Sequence, residues 1–390
     1  MPRLLALFVL FSLSAGSPAH AFDWGVFADL SPFIRDCLAQ TLSERELKAL
    51  AKLGADRPKD KAFRKKSAKA YKKCLKAAVD EAPKTLPMAA GNCGSLPPPY
   101  DGPLFDAMTQ IDDRMDMTSA IKDVEAAGVD RMALFARSRK SLGENEDAVL
   151  ALRERWPDFI VLGAPKYFLL RGDLDDAFIE ATVAGVRENN YAFVGEVLYT
   201  HGDKVHGEST ASGERYIDPR GPGTAKLLRT LAARGRSVPV MTHWEVYAWD
   251  RDWPRFSTLY AKFPEQVFVV PHMAFGSAGQ MRMLLGKHPN VIVTTSKKDK
   301  KKGGYSDASK AALLGDGFID GCGRLRPKWR DVLVTYKDRI MFATDAHKNH
   351  RWKIYANLIS TGRAWLGQLP ASVAKVIAFD NAERIYLPRN

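Results

Sequence analysis

From Leu104 onward, short apolar runs recur at a spacing that leaves room for one amphipathic helix between each run and the next. The runs are Leu104–Ile111, Val129–Ala136, Phe159–Ala164, Ala192–Leu198, Val238–His243, Val267–His272, Val291–Thr295 and Arg339–Thr344. Helical patterns fall between or after them at Thr118–Ala127, Glu146–Trp156, Leu174–Glu188, Gly223–Arg234, Trp253–Lys262, Trp352–Trp365 and Ser372–Phe379. Strands alternating with helices build a parallel sheet, and this number of repeats is that of an α/β (β/α)8 TIM barrel. A doubly wound open sheet is the competing fold, but no glycine-rich phosphate loop follows an early strand.

A barrel gathers the C-terminal ends of its strands on one face, where the chemistry is done. Here the ends carry metal-ligand and acid–base side chains. Val238-Pro-Val-Met-Thr-His243 and Val267-Phe-Val-Val-Pro-His272 each deliver a histidine, and Asp338-Arg-Ile-Met-Phe-Ala-Thr-Asp345 delivers a carboxylate. The blander alternatives are buried histidines bonded to neighbouring loops and an Asp345 that caps the turn before His347. Cations follow several of the runs: Arg137-Ser-Arg-Lys140, Lys166, and the stretch Ser296 to Lys302 that includes Lys297. If these ends share a face, they would draw a carboxylate- or phosphate-bearing ligand to the mouth. His201, His206, His347 and His350 fall in loops and read as surface residues; among them, His201 joins Arg137, Lys166 and Lys297 as a substrate-binding candidate.

Ahead of the barrel the chain changes character. Residues 1–21 combine Arg3, the apolar stretch Leu4 to Leu13 and the small-x-small end Ser17-Pro-Ala-His-Ala21, the pattern of a secretory signal cut near Ala21. The expectation is an exported, periplasmic protein; removing the signal lowers the net charge of +13 only by the charge of Arg3. Residues 22–87 read as a helical extension, with Ser43-Glu-Arg-Glu46 as a capping box. Residues 88–103, with Pro97-Pro-Pro99, read as a linker to the barrel at 104–390. Between Arg57 and Lys76, Asp60 is the sole acid among many Lys and Arg. That run is a solvated helix face or a contact for anionic surfaces, and nucleic acid is not the expected partner because export removes that target. An oxidising compartment favours pairing of Cys37, Cys74, Cys93 and Cys322. Cys37 with Cys74 would staple a helical hairpin, leaving Cys93 with Cys322. Oligomeric state is not legible.

Four segments in order, Thr242-His243-Trp-Glu, Pro271-His272-Met-Ala-Phe-Gly276, Gly321-Cys-Gly-Arg-Leu-Arg-Pro-Lys-Trp329 and Asp338 to Asp345, resemble the amidohydrolase-related branch of the metal-dependent hydrolases. The resemblance runs from about Leu104 to Leu387. It implies His-x-His on the first strand, a carboxylate or modified lysine on the fourth, one histidine each on the fifth and sixth, and an aspartate on the eighth. The matching first segment is Phe105-Asp-Ala-Met-Thr-Gln110, so Met108 and Gln110 stand at the two histidine positions. A thioether and a neutral amide are poor substitutes for imidazole toward a hard or borderline ion. What the resemblance leaves is a subsite of Glu196, His243 and His272, enough for one divalent ion (zinc, or else iron or manganese). The alternative for Glu196 is a pair with the rim cation Lys166. Asp345 takes the general-base role. The expectation is a hydrolase of an amide, ester or lactone bond in a small anionic substrate, with decarboxylation as a variant; the alternative is a non-catalytic ligand- or protein-binding barrel without metal.

Overall fold

The computed structural model describes residues 32–51, 66, 69–70, 73, 95–111, 116–205, 208–233, 238–296, 317–320, 322–347 and 349–387. The stretch 1–21, most of the basic run 57–76, Cys74, Cys93, His206 and Lys297 lie outside the described residues. The chain separates into two compact units, residues 1–86 with 313–315 and the remainder. In the first, helices α1 (Pro32–Thr41) and α2 (Glu44–Ala51) meet at the anticipated capping box: Ser43 N donates to Glu46 Oε2 at 2.9 Å and Glu46 N to Ser43 Oγ at 3.4 Å. Among the described residues no helix is long and apolar enough to cross a membrane.

The second unit is a parallel barrel of β1 (Phe105–Ile111), β2 (Arg131–Ser138), β3 (Ile160–Ala164), β4 (Phe193–Leu198), β5 (Val240–His243), β6 (Phe268–Val270), β7 (Val291–Thr294) and β8 (Ile340–Met341), hydrogen-bonded in that order. Residues just past β8 close the ring on β1: Ala107 N donates to Phe342 O, Asp345 N to Met108 O and Gln110 N to Ala346 O, at 2.8 to 2.9 Å. Helices alternate with the strands, among them Met117–Ala126, Glu146–Arg155, Asp176–Glu188, Pro222–Ala233 and Trp249–Lys262. The described part of the expected linker is not a free tether. Tyr100 N donates to Arg363 O, and Arg363 Nη1 donates back to the carbonyls of Tyr100 and Gly102, so this stretch is pinned to the barrel unit.

Two apolar layers follow from the pleat. Outward residues such as Leu134, Val194, Val240, Phe268 and Ile340 pack against the helices, while Phe105, Ala133, Phe193, Met241, Val269, Ile292 and Met341 fill the barrel, joined by Ala382 and Tyr386 of the last helix. Two register breaks interrupt this alternation. One lies between Asp106 and Thr109 on β1, the other between Val194 and Val197 on β4. Each leaves two consecutive residues between outward-facing neighbours, and such bulges re-aim side chains beside active sites. On β1 the break lets Ala107 and Met108 both join the interior layer; on β4 it turns Glu196 inward. Gly195 is required there, because a Cβ on it would come within 2.3 Å of Ala164 O.

Candidate active site

Glu196, His243, His272 and Asp345 meet at the C-terminal end of the barrel, all nearly inaccessible to solvent. Ordinary alternation carries two of them: Met241 and His243 share the inner face of β5, and Ala343 leads to Asp345 beyond β8. His272 arrives differently. β6 ends at Val270, and His272, Met273, Ala274 and Phe275 have φ of 56, 49, 50 and 58°. Left-handed backbone costs an L-residue about 1–2 kcal/mol, so four in succession form a strained turn of the kind that clusters at functional sites. Ser296 and Thr294 hold it, accepting from or bonding to His272: His272 N donates to Thr294 Oγ1 at 3.1 Å, and His272 Nδ1 lies 2.7 Å from Ser296 Oγ.

Glu196 is the hub. Its Oε1 lies 2.7 Å from His243 Nδ1 and 3.2 Å from His272 Nε2, and its Oε2 accepts from Lys166 Nζ and, at 3.1 Å, from Gln110 Nε2. Burial pushes the Glu196 carboxyl up, but Lys166 and His243 outweigh it and hold the group well below the usual carboxylate range. Glu196 is therefore ionised at neutral pH. The pairing with Lys166 is the alternative the sequence left open, and it coexists with the histidine contacts. It also corrects the reading of Lys166 as a rim cation: the side chain is 6% exposed and part of the buried network.

Ligand atoms of Glu196, His243 and His272 lie within 4.8 Å of one another, a donor set able to hold a metal ion. The outer contacts fit that use. His243 Nε2 lies 2.9 Å from Glu245 Oε1, and His272 Nδ1 meets Ser296. A ligating histidine usually gives its second N–H to such an acceptor, which fixes the tautomer and turns the other nitrogen toward the ion. Here the nitrogens left over, Nδ1 of His243 and Nε2 of His272, are those that converge on Glu196. The donor types, two imidazoles and a carboxylate, suit zinc, iron or manganese.

Asp345, with φ 52°, lies past the end of β8, and its side chain is held by its neighbours in addition to the backbone bond to Met108. Gln110 Nε2 donates to its Oδ1 at 2.6 Å, while Oδ2 lies 3.1 Å from His347 Nδ1 and 3.9 Å from His272 Nε2. His347 is thus a neighbour of the centre and not the surface residue its loop position suggested. Gln110 bridges Asp345 to Glu196, and its Oε1 is buried without a hydrogen-bond partner among the described residues. Met108 sits beside it, its sulfur 4.0 Å from Ser296 Oγ. Arg137 is buried too and donates from Nη1 to His347 O at 2.6 Å. His201, half-buried on a hairpin of Thr200–Val205 and Glu208–Tyr216, has its ring 5.2 Å from that of His243, so it also belongs at the centre rather than on the surface.

Sequence reasoning did not single out Glu245, Ser296 or the hairpin. The hairpin is mostly polar and lacks alternating apolar residues; Glu245, two positions after His243 and just past the end of β5, had a signal in its spacing. Of the cysteines, Cys37 and Cys322 are not free thiols; the pairings proposed for them involve Cys74 and Cys93, outside the described residues.

A family model described as Amidohydrolase matches residues 168–387. No curated protein matches the chain. Solved structures with a similar fold include an uncharacterized TIM-barrel protein from Bordetella bronchiseptica, at 12% identity over 73% of this chain and 98% of that one, with a TM-score of 0.45. Others are a probable 2-pyrone-4,6-dicarboxylic acid hydrolase from Acinetobacter baumannii, at 11% identity over 73% and 98% with a TM-score of 0.43, and a dihydropyrimidinase from Brevibacillus agri, at 13% over 75% and 72% with a TM-score of 0.41.

Proposed function

Since this chain belongs to the amidohydrolase family, we propose that it hydrolyses an amide, ester or lactone bond in a small anionic substrate, using one divalent ion held by Glu196, His243 and His272. The observation that carries this reading is the convergence of three buried donors within 4.8 Å, with Glu245 and Ser296 engaging the outward nitrogens of both histidines. When bound, such an ion polarises the scissile carbonyl and acidifies water. Asp345 accepts the proton from the attacking water and returns it to the leaving group, a role worth about 10²–10⁴-fold in rate. Gln110, donating to Asp345 Oδ1, fixes the rotamer that makes this possible. Met108 and Gln110 stand where the family resemblance implies His-x-His, and neither side chain suits a hard or borderline ion, which favours one ion over two.

The alternative of a non-catalytic barrel has one observation in its favour: Lys166 already neutralises the Glu196 charge without an ion. Decarboxylation remains a variant of the same centre. The proposal includes export through a signal at residues 1–21 to the periplasm, with Cys37–Cys74 and Cys93–Cys322 disulfides formed there. The test is turnover on a panel of carboxylate-bearing amides, esters and lactones. Asp345→Asn should lose at least about a hundredfold in kcat at unchanged metal content; full activity in that variant would remove the general-base assignment.

A further inference from the structure

The His243 ring has ligand-type side chains on both of its nitrogens. Nδ1 faces Glu196 at 2.7 Å, in the inner set of Glu196, His243 and His272, while Nε2 faces Glu245 at 2.9 Å. On this second flank the ligand atoms of His201, His243 and Glu245 also lie within 4.8 Å of one another. The fold brings them there from two segments. Leu198 pairs with His243 where β4 and β5 end, and Tyr199 N donates to His243 O at 3.0 Å, so the chain leaving β4 runs past the end of β5. His201 follows two residues later, where the hairpin register breaks between His201 and Asp203; such a bulge re-aims a side chain. Glu245 is fully buried, with Oε1 toward His243 and Oε2 accepting from Gly202 N of the hairpin at 3.5 Å. Two imidazoles on one tetrahedral zinc, each nitrogen about 2.0–2.1 Å from it, have their ring centres about 5 Å apart. The rings of His201 and His243 stand 5.2 Å apart, so the pair reaches that arrangement with little movement.

We propose that His201, His243 and Glu245 form a second, outer zinc site that staples the hairpin to the barrel beside the catalytic centre. The hydrolase reading needs only the inner ion, and the outer site goes beyond it, sharing His243 alone and using neither Met108 nor Gln110. Its donors, two imidazoles and a carboxylate, are of the types that zinc takes. His201 is half-buried whereas every inner donor is buried, so the outer set is the more accessible. With Nδ1 of His243 serving the inner ion, coordination at Nε2 displaces the proton of that nitrogen to solvent, and the ring bridges the two ions. This deprotonation makes the outer site the weaker one, filled as zinc is added beyond the first equivalent.

The test is titration of the full chain, stripped of metal, with zinc in competition with a chromophoric chelator. Wild type should take up a tight equivalent and then a weaker one. His201→Gln should lose the weaker equivalent and keep the tight one, whereas His272→Ala should keep an equivalent that disappears when His201→Gln is added to it. The staple has its own readout: the second equivalent should slow amide hydrogen exchange across Thr200–Val205 and Glu208–Tyr216 in wild type and not in His201→Gln. Zinc uptake that is the same in wild type and His201→Gln would overturn the outer site. A filled second equivalent with unchanged exchange in the hairpin would overturn the staple. A single equivalent lost in His201→Gln and untouched by His272→Ala would leave the outer site standing while removing the inner ion of the hydrolase reading.

Discussion

Asp106 provides a prediction with a sign and a size. This carboxyl is fully buried on β1 and stitches the strand to the segment that carries Asp345. Oδ1 accepts from Thr344 N at 2.9 Å and Met108 N at 3.3 Å, and Oδ2 accepts from Thr344 Oγ1 at 2.6 Å and Tyr355 OH at 2.9 Å. Burial pushes the group up from 3.8 to about 6, against the hydrogen bonds that favour its charged form. At about 1.4 kcal/mol for each tenfold change in proton affinity, this difference is worth about 3 kcal/mol. The folded state binds the proton more tightly than the unfolded chain, so the Asp106 contribution is fully present below pH 3.8 and is lost as pH rises through about 6. Asp106→Asn mimics the protonated form without titrating, and the hydroxyls of Thr344 and Tyr355 can turn to accept from its amide. Urea unfolding of wild type and Asp106→Asn, followed by tryptophan fluorescence at pH 7 and pH 4, isolates the group because all other titrations are shared. Relative to the variant, wild type should gain about 2.4 kcal/mol on acidification from pH 7 to pH 4, most of the full difference. Parallel pH profiles would refute the burial argument, and a wild type that loses ground on acidification would show that the four donors outweigh desolvation.

Two further perturbations address the histidines. Glu245→Gln removes the carboxylate behind His243 Nε2 and should lower metal affinity by about 10–100-fold without unfolding the barrel; a chelator competition giving the wild-type affinity would remove Glu245 from that role. In the turn after β6, Ala274→Gly releases about 1–2 kcal/mol of left-handed strain, offsetting the buried methyl of about 0.8 kcal/mol and the chain entropy. Thermal unfolding should then be nearly unchanged for Ala274→Gly and clearly lowered for Ala274→Val, and the opposite order would contradict the strained-turn account.

The barrel is legible because each strand is an apolar run with helical periodicity between runs, and His243 and Asp345 are legible because they keep the pleat's period of two. Where the backbone breaks that period, alternation misplaces the side chain. Counting outward from Phe105 puts Met108 and Gln110 on the outer face, and counting from Phe193 does the same to Glu196; the two bulges bring all three inward. Only the family resemblance pointed to them. His272 is two residues beyond its strand and is aimed by a left-handed turn built from Met273, Ala274 and Phe275 rather than the glycines that would announce it. The hairpin that carries His201 gives no alternating apolar signal.

The most direct test of the central claim is the metal content of protein purified without chelators, measured by elemental analysis beside His243→Ala/His272→Ala. The account predicts close to one equivalent of zinc, iron or manganese in wild type and its loss in the double variant. Wild-type protein that takes up no ion even when divalent metals are supplied, or a double variant that retains it, would contradict the assignment of Glu196, His243 and His272 as the ion's ligands.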